Sequence, residues 1–68
     1  MIRWIKESGY INSPNSPYNK RIIRAVEHAN ERAQQVVSIE MLMDGGWEII
    51  LTAPNIIDAQ VQLETLIR

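Results

Sequence analysis

Between Val37 and Ala53, apolar and other residues alternate in two runs: Val37, Ile39, Met41 and Met43, then Trp47, Ile49 and Leu51, parted by Asp44-Gly45-Gly46. A period of two with turn residues in the middle predicts an antiparallel hairpin. Loop length then sets the register. A two-residue loop places the two apolar sets on opposite faces. A three-residue loop, with Gly46 as its left-handed residue, pairs Met43 with Trp47, Met41 with Ile49 and Ile39 with Leu51. The second register is expected, because it collects the large apolar groups on one face. It leaves Ser38, Glu40, Leu42, Glu48, Ile50 and Thr52 on the other.

Upstream, the period changes. Tyr18, Ile22, Ala25, Val26, Ala29, Ala33 and Val36 fall on one stripe at 100° per residue, opposite Lys20, Arg21, Arg24, Glu27, His28, Glu31, Arg32 and Gln35. This predicts a helix over Pro17–Gln35, with Ser16 as N-cap and Pro17 at the first helical position, where a missing N–H is harmless. Downstream, Pro54 ends the hairpin and Asn55 can cap a second helix with Asp58 in its first turn. Ile56, Ala59, Leu63, Leu66 and Ile67 form that helix's main stripe. Ile57 and Val61 lie to one side, where they either pack on the other helix or meet another chain.

In residues 1–12, Ile2 and Trp4 alternate with Arg3, which favours a strand over a short helix ending at Gly9. The expected fold is therefore α+β, a two-layer β-α-β-β-α sandwich in a single domain, residues 1–68. This is a ferredoxin-like layout lacking its last strand: a three-stranded antiparallel sheet in the order 1-3-2, with two helices on one face. One strand edge and the second sheet face stay open, and an uncovered edge invites a second chain.

Size sharpens that expectation. A chain of 68 residues without Cys and with one His has neither a disulfide nor an obvious metal to support a small core. Apolar packing must hold it, with a second copy as the natural reinforcement. No apolar run approaches the roughly 18–20 residues a membrane span requires, and the N-terminus carries charges where a signal peptide needs an apolar stretch. A soluble cytoplasmic protein is the default.

Charge is sorted along the chain. Residues 1–24 hold five cations against one acid (+4), and residues 25–68 hold two cations against seven acids (−5). Such polarity bears on partner choice more than on fold.

Catalytic chemistry is hard to assemble. There is no Cys nucleophile, no serine has a His nearby in sequence, and the only Gly-rich segment lies between strands instead of ahead of a helix. His28, one turn from Arg24 and Arg32 on the expected polar helix face, reads as a solvated residue. A third reading is an active site shared between subunits around His28 and Glu31. No cofactor or metal is implied.

Two functional readings remain. The first is a non-enzymatic protein-binding module (a regulator, inhibitor or adaptor), homodimeric, working through an open sheet face or edge. Its contact residues would be Leu42 and Ile50 with a rim of Glu40 and Glu48, together with Ile57 and Val61. The alternative is a nucleic-acid-binding protein using Lys20, Arg21 and Arg24 at the start of the first helix, with Arg3 and Lys6. Trp4 and Trp47 are expected to pack on the sheet, and whichever stays exposed would be an interface anchor.

Overall fold

The computed structural model describes residues 2–68, so Met1, the first residue of the expected 1–12 strand region, lies outside the described residues. Five strands follow one another: β1 (Ile2–Ile5), β2 (Ser8–Ile11), β3 (Ile22–Ala29), β4 (Gln35–Met43) and β5 (Gly46–Ala53). Among the described residues a single helix, α1 (Ile56–Leu66), ends the fold. The spatial order β1-β2-β3-β4-β5 repeats the sequence order, and every neighbouring pair is antiparallel. The sheet is a meander covered on one face only.

That face carries the core. Ile2, Ile11, Ile23, Val37, Ile39, Met41 and Ala53 are buried from the strands, and Ala59, Leu63 and Ile67 are buried from the helix and its C-cap. The helix begins as its sequence implies: the Asn55 side chain accepts a hydrogen bond from the Asp58 backbone N–H at 2.9 Å, with Asp58 in the first turn. Its second stripe has no neighbouring helix to meet. Ile57 and Val61 are 69% and 61% exposed.

The expected β-α-β-β-α sandwich, with three strands and two helices, is overturned. Segment 17–35 is not a helix. Its first part closes a loop in which Lys20 donates to the Ile11 carbonyl at 2.8 Å and Ile11 donates to that of Arg21 at 3.0 Å. Ser16 does accept from the Tyr18 backbone N–H at 3.1 Å, but the turn it caps does not propagate. From Ile22 the chain becomes β3, the middle strand, paired with β2 on one side and β4 on the other. The β4 ladder runs from Ile23 to Ala29 and the β2 ladder covers Ile22 to Arg24, and the inward set Ile23 and Ala25 meets Met41 and Ile39. That pairing outweighs the helix propensity of its Ala, Glu and Arg residues. The expected order 1-3-2 fails with it, since the strands follow one another as sequence neighbours with no crossover among the described residues. The 1–12 region, read as one strand, forms a two-strand hairpin over residues 2–11.

The β4–β5 hairpin stands, with a different register. Its loop has two residues, Asp44-Gly45: Met43 pairs with Gly46, Leu42 with Trp47, Met41 with Glu48 and Glu40 with Ile49. The register shifts between Ile39 and Glu40, leaving Ile50 as the extra residue, and Ile39 meets Leu51 as expected. This bulge resolves the conflict seen in the sequence. Beyond it Leu51 and Ala53 face the core, whereas before it Trp47 and Ile49 turn to the open face.

Three strand connections carry one residue with positive φ, Lys6 (57°), Lys20 (68°) and Ala33 (59°), and at the fourth the positive φ falls on Gly46 (119°), the first residue of β5. Ala33 closes the β3–β4 turn, in which Asn30 Oδ1 accepts from the Arg32 and Gln34 backbone N–H groups at 2.9 and 3.0 Å. An L-residue there is strained by about 1–2 kcal/mol, which glycine relieves against an entropy loss of about 0.5–1 kcal/mol. Ala33→Gly should therefore raise stability by about 0.5–1 kcal/mol, a gain of several degrees in Tm for a domain of this size. A Tm that stays put or falls would show that this turn holds no strain.

Candidate functional site

The uncovered face of the sheet is built from cross-strand rows. Register places Arg3 beside Tyr10, Tyr10 beside Ile22 and Leu42 beside Trp47, and the β3–β4 ladder, extended by one residue, sets Ile22 beside Leu42. The first row therefore reads Arg3, Tyr10, Ile22, Leu42, Trp47. By the same ladders the second reads Ile5, Ser8, Arg24, Glu40, Ile49. A third, on the longer strands only, holds Val26, Ser38 and Thr52.

Six large apolar or aromatic side chains in the first two rows stay open to solvent: Ile5 at 77%, Tyr10 at 40%, Ile22 at 46%, Leu42 at 38%, Trp47 at 38% and Ile49 at 61%. All five strands contribute. A shallow depression of about 450 Å³ lies on the β1–β2 half, between Arg3, Ile5, Tyr10 and Ile22.

The charged pair inside this face is already matched. Arg24 Nε donates to Glu40 Oε1 at 2.6 Å, and the guanidinium lies 4.0 Å from the centre of the Trp47 ring. Such stacking suits a planar, weakly hydrated cation and holds the indole over the sheet. Glu40 keeps only 16% of its side chain exposed. The centre of the face is thus apolar with an internally neutral pair.

The third row is polar. His28 Nε2 lies 2.6 Å from Ser38 Oγ, which lies 2.9 Å from Thr52 Oγ1. The fold thereby joins a serine and a histidine ten residues apart, a pairing that sequence reading missed because it placed His28 on a helix. Ser38 is only 1% exposed, so its Oγ has no approach to a substrate carbonyl, and the three side chains tie β3, β4 and β5 together. Glu31 lies in the β3–β4 turn instead of beside them.

Of the expected contact residues, Leu42 and Glu40 are on the open face. Ile50, the bulged residue, packs against the core instead. Glu48 pairs with Met41 and so takes the opposite side of the sheet from Glu40, which removes the expected two-glutamate rim. Ile57 and Val61 are exposed on α1, away from the open sheet face. Trp47, Ile49, Ile22 and Tyr10 are the face residues that sequence reading did not assign. A two-residue Asp-Gly loop was the signal for the first two.

The five candidate cations do not converge. Lys6 occupies the β1–β2 turn, whereas Lys20 and Arg21 lie at the other end of the sheet, where Arg21 comes within 4.0 Å of Asp44. Arg3 stands at the β1 edge and Arg24 is held by Glu40. Lys6 and Arg24 share a hollow of about 680 Å³, beyond the end of β2, with Glu7 and Glu27. That balance of charge gives a phosphate little preference.

Among the described residues, no group of three or more His, Asp or Glu gathers to hold a metal, and no helix is long and apolar enough to cross a membrane. No protein-family model, curated protein or solved structure matches the chain.

Proposed function

We propose that the chain is a small non-enzymatic protein-binding module, acting as a regulator, inhibitor or adaptor, whose binding surface is the open sheet face. The observation that carries this reading is the pair of rows spanning five strands, in which six large apolar side chains surround a matched Arg24–Glu40 pair. An apolar centre whose only charges are paired loses little on desolvation, and buried Trp, Tyr and Arg are the usual energetic anchors of an interface. The exposed flank of α1, Ile57 and Val61, offers a second, smaller contact. A reducing compartment such as the cytoplasm suits a chain without Cys. The nucleic-acid alternative draws less support, because its cations are dispersed and two of them already face acids.

The test is recovery of protein partners on immobilised wild-type chain after nuclease treatment, followed by titration of the purified partner against wild type and Leu42→Asp. A charge placed in the middle of the first row should weaken binding at least tenfold, equivalent to about 1.4 kcal/mol, while circular dichroism stays that of the wild type. Equal affinity of the two proteins, or partners that vanish with nuclease, would defeat the proposal.

A further inference from the structure

The sheet face has an occupant that the molecule itself specifies. We infer that it is a second copy of this chain, packed face to face about a two-fold axis that runs along the strands and passes over β3. This inference rests on reading the open face as a binding surface, and three observations lead to it.

Charge comes first. Because the sheet is a meander, the sequence's polarity becomes a gradient across it. Arg3 and Lys6 stand on the β1–β2 side, while Glu48, which points to the covered side, and Asp58 and Glu64, on the helix behind β4 and β5, make the other flank acidic. A two-fold axis along the strands lays β1 of each copy over β5 of the other, so the basic edge of each copy lies nearest the acidic flank of the other and the two fields attract. An axis across the strands would instead oppose basic to basic and acidic to acidic. Like-charge contact of that kind is what specific interfaces avoid.

Row composition makes the same choice. With the axis along the strands each row meets itself reversed. Tyr10 then faces Leu42 of the other copy, Ile5 faces Ile49, Ile22 faces its own counterpart, and Arg3 comes over Trp47. The depression of about 450 Å³ beside Ile5, Tyr10 and Ile22 lies where the exposed Trp47 and Ile49 of the other copy arrive. On the axis itself Arg24 comes over Arg24 of the other copy, each guanidinium held by its own Glu40 at 2.6 Å, and Glu40 comes over Ser8. An axis across the strands and midway between the rows sets Ile22 on Arg24 and Leu42 on Glu40.

Area is the third. The six side chains, exposed by 38–77%, present on the order of 600 Å² per copy, the upper end for a patch on an ordinary monomer. Two such faces bury about 1,200 Å², the lower bound of a stable interface. The twist of each sheet sets the strands of two aligned sheets about 30° apart, with the backbones about 10 Å from one another.

Sedimentation velocity across micromolar concentrations, combined with directed cross-linking, tests the arrangement. The chain contains no Cys, so single cysteines report alone. With a thiol cross-linker of about 8 Å reach, suited to facing sheets, Ile22→Cys should give covalent dimer by itself. Ile5→Cys alone should not, but an equimolar mixture of Ile5→Cys and Ile49→Cys should. Leu42→Asp, or Ile49→Glu if the first variant loses its circular dichroism, should raise the dimer dissociation constant at least tenfold.

A monomer at about 100 μM, efficient cross-linking by Ile5→Cys alone, or a dimer untouched by both face variants would overturn the inference. Failure here is separable from failure of the binding-module reading. A monomeric chain whose partner affinity still depends on Leu42 loses only the second copy, whereas partner binding indifferent to Leu42 removes the face itself.

Discussion

Leu63→Ala is expected to lower the free energy of unfolding by about 2–4 kcal/mol and, in a domain of this size, to leave much of the population unfolded at 25 °C. Leu63 is fully buried, and with Ala59 and Ile67 it is all that α1 and its C-cap contribute to the buried core. An 11-residue helix is marginal in water by itself, so its existence depends on docking. Losing Leu63 opens a cavity between α1 and the sheet and weakens the docking that keeps the helix folded. Cores below about 70–80 residues rarely supply more than about 3–5 kcal/mol, so a loss of this size approaches the whole. Urea unfolding followed by tryptophan fluorescence and circular dichroism reads the effect. Val61→Ala, on the exposed side of the same helix, should shift the midpoint by less than about 0.5 kcal/mol. Equal effects of the two substitutions would mean that α1 is not the layer that closes the core.

What the sequence disclosed follows from where its glycines are. The β4–β5 hairpin was legible because Asp44-Gly45-Gly46 marks its turn, with the positive φ carried by a glycine, Gly46, at the start of β5. The other three connections put Lys6, Lys20 and Ala33 in that conformation, and none of these residue types signals a turn. Without visible turns, the spacing of Ile22, Ala25, Val26 and Ala29 fits a helix as well as a strand. The alternation that defines β3 is also blurred, since Ile23 and Ala25 face the core while Ile22 and Val26 face the open side. The last helix was legible through Pro54, Asn55 and Asp58, which act locally and need no tertiary contact.

The candidate site divides in the same way. Leu42 and Glu40 were placed on the open face because β4 alternates cleanly. Trp47 and Ile49 were assigned to the core because the alternation Trp47, Ile49, Leu51 was expected to run unbroken on one side. A bulge at Ile50 breaks that assumption, and nothing in Glu48-Ile49-Ile50-Leu51 marks it. The Arg24–Glu40 contact joins residues 16 apart and required β3 to be a strand. The charge gradient, in contrast, was fully visible in the sequence, and the meander gave it a direction in space.

Gly9 gives the second large effect, through an aromatic ring that depends on the missing side chain. Gly9 lies in β2 directly opposite Trp4 of β1 and Ile23 of β3. A Cβ built there would stand 3.1 Å from Trp4 Cε3 and 3.1 and 3.2 Å from Ile23 Cγ1 and Cδ1. The indole thus lies over the glycine and shields a backbone that has no side chain of its own, a recognised device for stabilising glycine within sheets. Gly9→Ala requires both neighbours to move by a few tenths of an ångström, against a gain of about 0.5–1 kcal/mol from reduced chain entropy. Its net effect should be small. Gly9→Val adds two further methyl groups where Trp4 and a fully buried Ile23 leave no room, and overpacking of this kind is expected to lower stability by about 2–3 kcal/mol. Gly45→Ala is the control, since no atom lies within 4 Å of the added methyl. Because the strain runs through the ring, Trp4→Leu should recover part of the loss when combined with Gly9→Val, although alone it destabilises. A double-mutant cycle with no coupling between the two positions would show that Gly9 is required by the backbone and not by Trp4.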